Sequence, residues 1–156
     1  YSVCKVPVQW KYRVMSDYIS EFKKFYTKHK TGNDYFLGFS YGAVIAFSTA
    51  EELGPKNVFL CSLSNAFKED IKGIEKKVEK FLGKKGFADI QKRSAIKIAK
   101  NLNVPTVIFY GEKEQDLKKR CEKTARLAKK AKVVIVKNAD HEISLPEYIG
   151  AIKRNL

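Results

Sequence analysis

The sequence predicts an α/β fold, in which a mostly parallel sheet carries helices on both of its faces. Short continuous apolar runs alternate along the chain with longer segments whose apolar residues recur every three or four positions. Continuous apolar runs are typical of strands buried in a parallel sheet, whereas the longer spacing is typical of helices. Because parallel strands need crossover connections, the alternation itself favours a parallel sheet. A length of 156 residues suits one core, so we expect residues 1–156 to form a single domain.

The first elements follow from hydrophobic spacing and its interruptions. Residues 1–6 alternate weakly and end at Pro7, which predicts a short first strand. Ser16 or Asp17 is expected to cap a helix that ends at residues 31–33. The apolar positions of this helix are Tyr18, Ile19, Phe22, Phe25 and Tyr26.

The next segments predict a strand, helix, strand unit. The apolar run 35–37 is expected to be a strand, and the helix after it continues to Leu53, where Gly54-Pro55 ends it. Residues 57–61 then form a second continuous apolar run, which is typical of a strand buried on both faces. This unit is the repeating element of a parallel sheet.

The second half of the chain continues the alternation. Residues 62–103 are charged and helical in pattern, and we expect Gly83-Lys84-Lys85-Gly86 to separate two helices there. One predicted helix carries Ile74, Val78 and Phe81 on a stripe, and the other carries Ile90, Ala95, Ile98 and Leu102. The remaining predictions are a strand at 106–110, a helix at about 116–130, a strand at 133–136 and a helix from about Pro146.

The net charge of +14 raises the question of a nucleic-acid partner. Most of the excess is lysine at spacings that place it on the solvent faces of helices, and this favours a solvated surface. Residues 83–86 match the G-x-x-G loop of KH domains, but the surrounding chain lacks the rest of that domain. We therefore keep a basic nucleic-acid-binding domain only as the least favoured function.

Cysteine and histidine usage indicates the compartment and the cofactors. Cys4, Cys61 and Cys121 are odd in number and widely spaced, which predicts reduced thiols and a cytoplasmic protein. Two histidines, His29 and His141, are too few for a zinc site, so no metal or cofactor is predicted. No apolar run approaches the length that crosses a bilayer, so we expect no membrane partner.

The segment Gly38-Phe39-Ser40-Tyr41-Gly42 predicts a nucleophile elbow, in which a strand turns sharply into a helix with serine at the apex. We expect strained backbone at Ser40 and crowding that only glycine tolerates two positions before and after it. The helix dipole at this turn favours developing negative charge.

Two further polar positions follow strands of the predicted sheet. An acidic group, Glu112, Glu114 and Asp116, comes after the strand at 106–110, and His141 comes after the strand at 133–136. Reactive groups of open parallel sheets gather beyond the carboxyl ends of the strands. The chain order serine, acid, histidine is the order of the α/β-hydrolases.

Three segments resemble the catalytic blocks of small α/β-hydrolase-fold proteins: 37–42, 105–114 and 134–141. The resemblance implies that Ser40 is the nucleophile, His141 the base and Glu114 the acid, with Asp116 as the alternative acid. It also implies that the segment at about 65–103 is a helical lid between the strands at 57–61 and 106–110, and that Phe39 and Phe67 contact the substrate. The apolar lid residues Ala66, Phe67, Phe81 and Phe87 are explained as well by packing among the lid helices.

The resemblance leaves the oxyanion hole half assigned. The backbone N–H of Tyr41 is expected to be one donor, whereas the second donor of the family follows an earlier strand and is often marked His-Gly. Neither histidine is followed by glycine. We therefore expect residues before Tyr1 to supply this strand, and a shortened fold whose first strand pairs directly with the elbow strand is the less favoured alternative.

The function implied by the resemblance is a serine esterase or thioesterase that acts on a small molecule by acyl transfer to Ser40. The alternative is a non-catalytic ligand-binding protein on a hydrolase scaffold, because a fold does not determine a function.

Overall fold

The computed structural model describes residues 2–8 and 13–156. Within these ranges, four strands form one parallel sheet in the order β1-β2-β3-β4. The strands are β1 Tyr35–Phe39, β2 Asn57–Cys61, β3 Thr106–Gly111 and β4 Ala131–Val136. The helices are α1 Met15–His29, α2 Tyr41–Leu53, α3 Glu75–Gln91, α4 Ala95–Asn101, α5 Gln115–Leu127 and α6 Pro146–Lys153. The predicted α/β architecture is confirmed.

The register of the sheet brings the carboxyl ends of its strands to one edge. Phe39 is opposite Cys61, Cys61 is opposite Phe109, and Gly111 at the end of β3 is opposite Val136 of β4. Because all four strands are parallel, the loops that follow them converge at this edge. The candidate residues of the sequence lie in these loops.

Apolar side chains pack on both sides of the sheet. On one side, the strands contribute Phe36, Val58, Leu60, Ile108 and Tyr110 to a cluster with residues of α2, α4 and α5, against which α1 packs. On the other side, Phe59, Cys61, Val107 and Phe109 pack with Tyr148 and Ile152 of α6. Both faces of β2 and β3 are therefore buried, which explains the continuous apolar runs of these two strands.

The predicted first strand is wrong for the described residues 2–6, and Tyr1 lies outside the described part of the chain. Val3 is 93% exposed, and the backbone hydrogen bond described within 2–8 is local, from Val8 N–H to Val6 O. A strand needs a partner ladder, and the weak alternation of these residues offers no buried face to hold one. Pairing of residues 2–8 with β1 is accordingly not found.

The break predicted at residues 83–86 is present: Gly83 has φ 70° and ψ 168°, which is not helical, and it divides α3 into two helical pieces that meet at a kink. A second break, which the sequence did not predict, falls at 92–94, where the Ser94 hydroxyl accepts a hydrogen bond from Lys97 N–H and caps α4. Phe81 is 86% exposed. Its ring therefore packs neither in the core of this segment nor on an enclosed pocket.

None of the helices within 2–8 and 13–156 is long and apolar enough to cross a membrane.

Candidate active site

Ser40 lies in the turn that joins β1 to α2. Its backbone has φ 55° and ψ −119°, a left-handed conformation that residues other than glycine rarely adopt. The Ser40 N–H donates to the carbonyl of Cys61 at 2.9 Å, which ties the turn to the end of β2. The strained serine predicted for this turn is present.

The two flanking glycines differ in how tightly they are packed. A Cβ atom on Gly38 would lie 2.3 Å from the carbonyl oxygen of Gly42, far inside van der Waals contact. A Cβ on Gly42 would meet nothing within 4 Å. The expectation of crowding at both positions is therefore right for Gly38 and wrong for Gly42, because the helix backbone crowds the strand side of the turn alone.

Glu114 is the residue immediately before α5 and lies just beyond the end of β3. It is only 8% exposed. Its Oε2 accepts hydrogen bonds from Gly111 N–H at 2.6 Å and from the Ser62 hydroxyl at 2.8 Å. A carboxylate with two donors on one oxygen is held in a single orientation, which leaves Oε1 for another partner.

His141 lies in the loop between β4 and α6 and contacts both other candidates. Its Nδ1 is 2.5 Å from Glu114 Oε1, and its Nε2 is 3.0 Å from Ser40 Oγ. The imidazole ring packs against the ring of Phe39, with 4.8 Å between the ring centroids. The loop reaches this position because Gly111 packs closely on Ala139, where a Cβ would lie 2.5 Å from the Ala139 carbonyl oxygen.

The partners of the imidazole indicate its tautomer. An ionised carboxylate only accepts hydrogen bonds, so the proton between Glu114 and the ring belongs to Nδ1. Nε2 then carries a lone pair and accepts from the Ser40 hydroxyl. Ser64 Oγ lies 2.9 Å from Ser40 Oγ, and its hydroxyl is free to donate to Ser40 in this arrangement.

The other predicted site residues take different positions. Asp116 is exposed on α5, and the described residues include no hydrogen bond between it and His141. Phe67 is completely buried and packs edge-on against Phe47, because its ring fills the core beneath the sheet. It is not among the residues that line the cavity at Glu114 and His141. Tyr41 is the first residue of α2, so its N–H lies in the first turn, next to Ser40.

A cavity of about 530 Å³ opens beside Glu114 and His141, and Ser40 is not among its wall residues. Its walls are formed by Tyr41, Ser64, Asn65, Lys113, Glu114, Asp116, Leu117, Asp140 and His141. The wall residues after β3 and β4 include acidic and basic groups, whereas Ser64 and Asn65 after β2 are neutral and polar. The cavity is therefore polar at its rim and reaches the Glu114–His141 pair.

Three hydroxyl groups of this region, those of Ser62, Ser64 and Tyr148, are not among the residues predicted from the sequence. Ser62 and Ser64 follow β2 directly. The rule that reactive groups gather beyond strand ends applies to β2 as well, and it was a signal that pointed to them. Tyr148 lies on α6, and its place beside Ser62 depends on how that helix packs, for which the sequence has no local signal.

The buried titratable groups near Glu114, Cys61 and Tyr148, stay protonated. Burial, together with the nearby charge of Glu114, raises the pKa of Cys61 to about 12. Burial raises the pKa of Tyr148 as well. Both groups are uncharged at neutral pH. The carboxylate of Glu114 thus faces uncharged neighbours on its buried side and the imidazole on the other.

The parallel sheet with serine, acid and histidine in the loops at its carboxyl edge defines an α/β-hydrolase fold. Est1E from Butyrivibrio proteoclasticus has a similar structure, with a TM-score of 0.71 and 13% identity over 92% of this chain and 70% of that chain. The α/β-hydrolase enzyme MGS-MChE2, from a sediment metagenome of the Mar Chica lagoon in Morocco, has a TM-score of 0.69 and 16% identity over 96% of this chain and 72% of that chain.

A third similar structure is the enol-lactonase of Burkholderia xenovorans LB400, with a TM-score of 0.65 and 16% identity over 92% of this chain and 72% of that chain. No protein-family model matches the sequence, and no curated protein sequence matches it significantly. At these identities the similarity establishes the fold, and the chemistry of the site depends on its own residues.

Proposed function

We propose that the protein is a serine hydrolase that cleaves an ester or thioester by acyl transfer to Ser40. The observation that supports this most is the hydrogen-bonded series from Ser40 Oγ to His141 Nε2, at 3.0 Å, and from His141 Nδ1 to Glu114 Oε1, at 2.5 Å. A nucleophile within reach of a base, which a third group orients, is the arrangement that nucleophilic catalysis requires.

In the proposed reaction, Ser40 Oγ attacks the carbonyl carbon of the substrate and passes its proton to His141 Nε2. The bond to the leaving alcohol or thiol then breaks, and the leaving group takes that proton. Water attacks the acyl carbon next, with His141 as the base, and the carboxylic acid leaves as Oγ regains a proton. Glu114 keeps its hydrogen bond with His141 Nδ1–H throughout: it holds the neutral ring in the Nδ1–H tautomer and stabilises the imidazolium that forms.

The negative charge of the tetrahedral intermediate develops beside the N-terminus of α2. The backbone N–H of Tyr41 is the proposed oxyanion donor, and the dipole of α2 favours the same charge. Peptide groups in a helix terminus are already oriented, so they stabilise the charge without reorganisation.

A fluorophosphonate probe tests the proposal, because it reacts only with an activated serine. We expect the protein to be labelled and Ser40→Ala to remain unlabelled. Ser20→Ala, which removes an exposed serine of α1, is the matched control and should be labelled like the parent protein. A folded parent protein that takes up no label would overturn the hydrolase proposal and favour a ligand-binding role on the same scaffold.

A further inference from the structure

Two buried hydroxyl groups lie in line behind Glu114. The Tyr148 hydroxyl is 2.7 Å from Ser62 Oγ, and the Ser62 hydroxyl donates to Glu114 Oε2 at 2.8 Å. Ser62 and Tyr148 are both completely buried. Neither contributes to the walls of the cavity that Glu114 and His141 share, so neither is placed to touch a substrate there.

The direction of these hydrogen bonds follows from the number of protons available. An ionised carboxylate only accepts, so Ser62 gives its one hydroxyl proton to Glu114. The proton between Ser62 and Tyr148 then comes from Tyr148. Burial raises the pKa of Tyr148 and keeps the phenol protonated, which suits this donor role. The hydrogen bonds therefore run in one direction, from Tyr148 to Ser62 to Glu114.

The backbone at Ser62 adds a second observation. Ser62 has φ 51°, in the left-handed region where glycine is the usual residue. Strained residues of this kind persist where the surrounding structure holds them, and they concentrate at functional sites. The Ser62 N–H is held by the carbonyl of Phe109 at 2.8 Å. The strain thus occurs at the residue that contacts the buried side of Glu114.

We propose that Ser62 and Tyr148 are positioning residues that keep the Glu114 carboxylate directed at His141. The proposal rests on the proposed hydrolase function and names the groups that orient its acid. With Oε2 held by the Ser62 hydroxyl and by Gly111 N–H, Oε1 remains on His141 Nδ1. Because Tyr148 lies on α6, the same contacts connect that helix to the site.

Other charged and titratable groups surround Glu114 and His141, and they must stay unchanged in the test. On the cavity side, Lys113, Asp116 and Asp140 share the walls with Glu114 and His141. On the buried side, the titratable neighbours are Cys61, Cys121 and Tyr148, and burial raises the pKa of all three. None of these neighbours is changed in the variant that removes the Ser62 hydroxyl, so an effect of that variant on His141 is attributed to the lost donor.

The kinetic test compares Ser62→Ala, Tyr148→Phe and the double variant on p-nitrophenyl acetate. We expect Ser62→Ala to lower kcat about tenfold with KM unchanged, because the residue acts on the acid and not on the substrate. Tyr148→Phe should lower kcat by a smaller factor, and the double variant should match Ser62→Ala, since Tyr148 acts only through Ser62. Tyr110→Phe is the control: it removes another buried phenol, whose hydroxyl faces Glu122. Additive losses would overturn the serial arrangement.

A second measurement needs no turnover. Proton NMR at a fixed pH follows the Nδ1–H signal of His141, which a hydrogen bond to a carboxylate moves downfield. In Ser62→Ala, Glu114 Oε2 keeps the Gly111 N–H but loses the hydroxyl, so we expect the His141 Nδ1–H signal to move upfield or to broaden relative to the parent and to Tyr110→Phe. An unchanged signal would overturn the positioning role. A changed signal without any ester turnover would support the positioning and count against the hydrolase function alone.

Discussion

The two oxygens of Glu114 have different partners, and this division distinguishes it from the acidic residues around it. Oε1 contacts His141, whereas Oε2 is held by Gly111 N–H and the Ser62 hydroxyl. Asp116, two residues further on, is exposed at the cavity rim. Burial and orientation therefore select one carboxylate from a cluster that the sequence presents as nearly equivalent.

A pair of isosteric substitutions tests this selection. Glu114→Gln removes the charge, and because an amide can donate as well as accept, it no longer requires the His141 proton to be on Nδ1. We therefore expect kcat to fall by about 10³- to 10⁴-fold on an ester substrate. Asp116→Asn makes the same chemical change at an exposed position and should leave kcat within about twofold. Steady-state kinetics on both variants is the measurement. A larger loss in Asp116→Asn would assign the acid to the alternative residue.

The residues of the site differ in how far the sequence predicts them. Ser40, Glu114 and His141 each follow an apolar strand, so a coarse assignment of strands was enough to bring them to one edge. Ser62 and Tyr148 are separated by 86 positions and meet by tertiary packing alone. Local spacing contains no information about such a contact, and this is why the hydroxyl groups behind Glu114 emerge only from the structure.

At the scale of elements, the turn from β1 to α2 depends on the close approach of a strand to the helix that follows it. A Cβ at Gly38 would meet the Gly42 carbonyl and the Cα of Ala43, both backbone atoms that cannot rotate away. We expect Gly38→Ala to lower the free energy of unfolding by about 1–3 kcal/mol, as measured by urea denaturation followed by circular dichroism. Gly42→Ala should be as stable as the parent or slightly more stable, because it lies inside α2 and has open space. Equal destabilisation by both variants would contradict this account of the turn.

The carboxylate of Asp34 holds the loop between α1 and β1 through hydrogen bonds to the backbone and side chain of that loop. Asp34 accepts hydrogen bonds from the Thr31 hydroxyl at 2.7 Å, from Thr31 N–H at 2.9 Å and from Gly32 N–H at 3.1 Å. Partial desolvation opposes ionisation of Asp34, but these bonds outweigh it and hold its pKa below the ordinary value. A carboxyl whose pKa is lower in the folded state stabilises the fold above the unfolded pKa, near 4, and loses that contribution as the pH falls through the folded pKa.

Asp34→Ala should therefore destabilise the protein in a pH-dependent way. At pH 7 we expect a loss of about 1–2 kcal/mol in the free energy of unfolding, the scale of lost hydrogen bonds to a charged group. The difference from the parent protein should shrink as the pH falls below about 4. Urea denaturation at several pH values is the measurement, and Asp116→Ala is the control with an exposed carboxylate. A difference that is constant from pH 7 to pH 3 would show that the Asp34 charge has no part in closing the loop.

Strong periodicity predicted the elements well, and weak patterns did not. The helices α1 and α6 and the apolar strands β2 and β3 lie about where the spacing placed them, because both propensity and burial favour the same state. The predicted cap of α1 is wrong: the helix begins at Met15 after Val14, and Asp17, inside the first turn, accepts a hydrogen bond from Val14 N–H. Residues 2–6 have only weak alternation and form no strand, and the stripe predicted from Ile90 to Leu102 is interrupted at 92–94, between α3 and α4.

At the scale of the whole molecule, β2 and β3 contribute side chains to both apolar layers. Leu60 and Ile108 point to the layer of α2 and α5, whereas Phe59 and Phe109 point to the layer of α6. If β2 and β3 separate from one apolar layer, the side chains of the other layer are exposed as well. We therefore propose that the described residues form one domain that unfolds as one cooperative unit, as chains of this length commonly do.

The cysteines provide a measurement of this proposal, because they lie in different places. Cys61 belongs to the α6 layer and Cys121 to the opposite layer, whereas Cys4 is exposed. Burial raises the pKa of both Cys61 and Cys121 to about 12, so neither forms a reactive thiolate in the folded protein. With iodoacetamide at about pH 8, we expect rapid modification of Cys4 alone, which serves as the internal reference. In rising urea, peptide mass spectrometry should find Cys61 and Cys121 modified with the same midpoint, since one transition exposes both layers. Two separate midpoints would mean that the layers unfold independently and that β2 and β3 do not couple them.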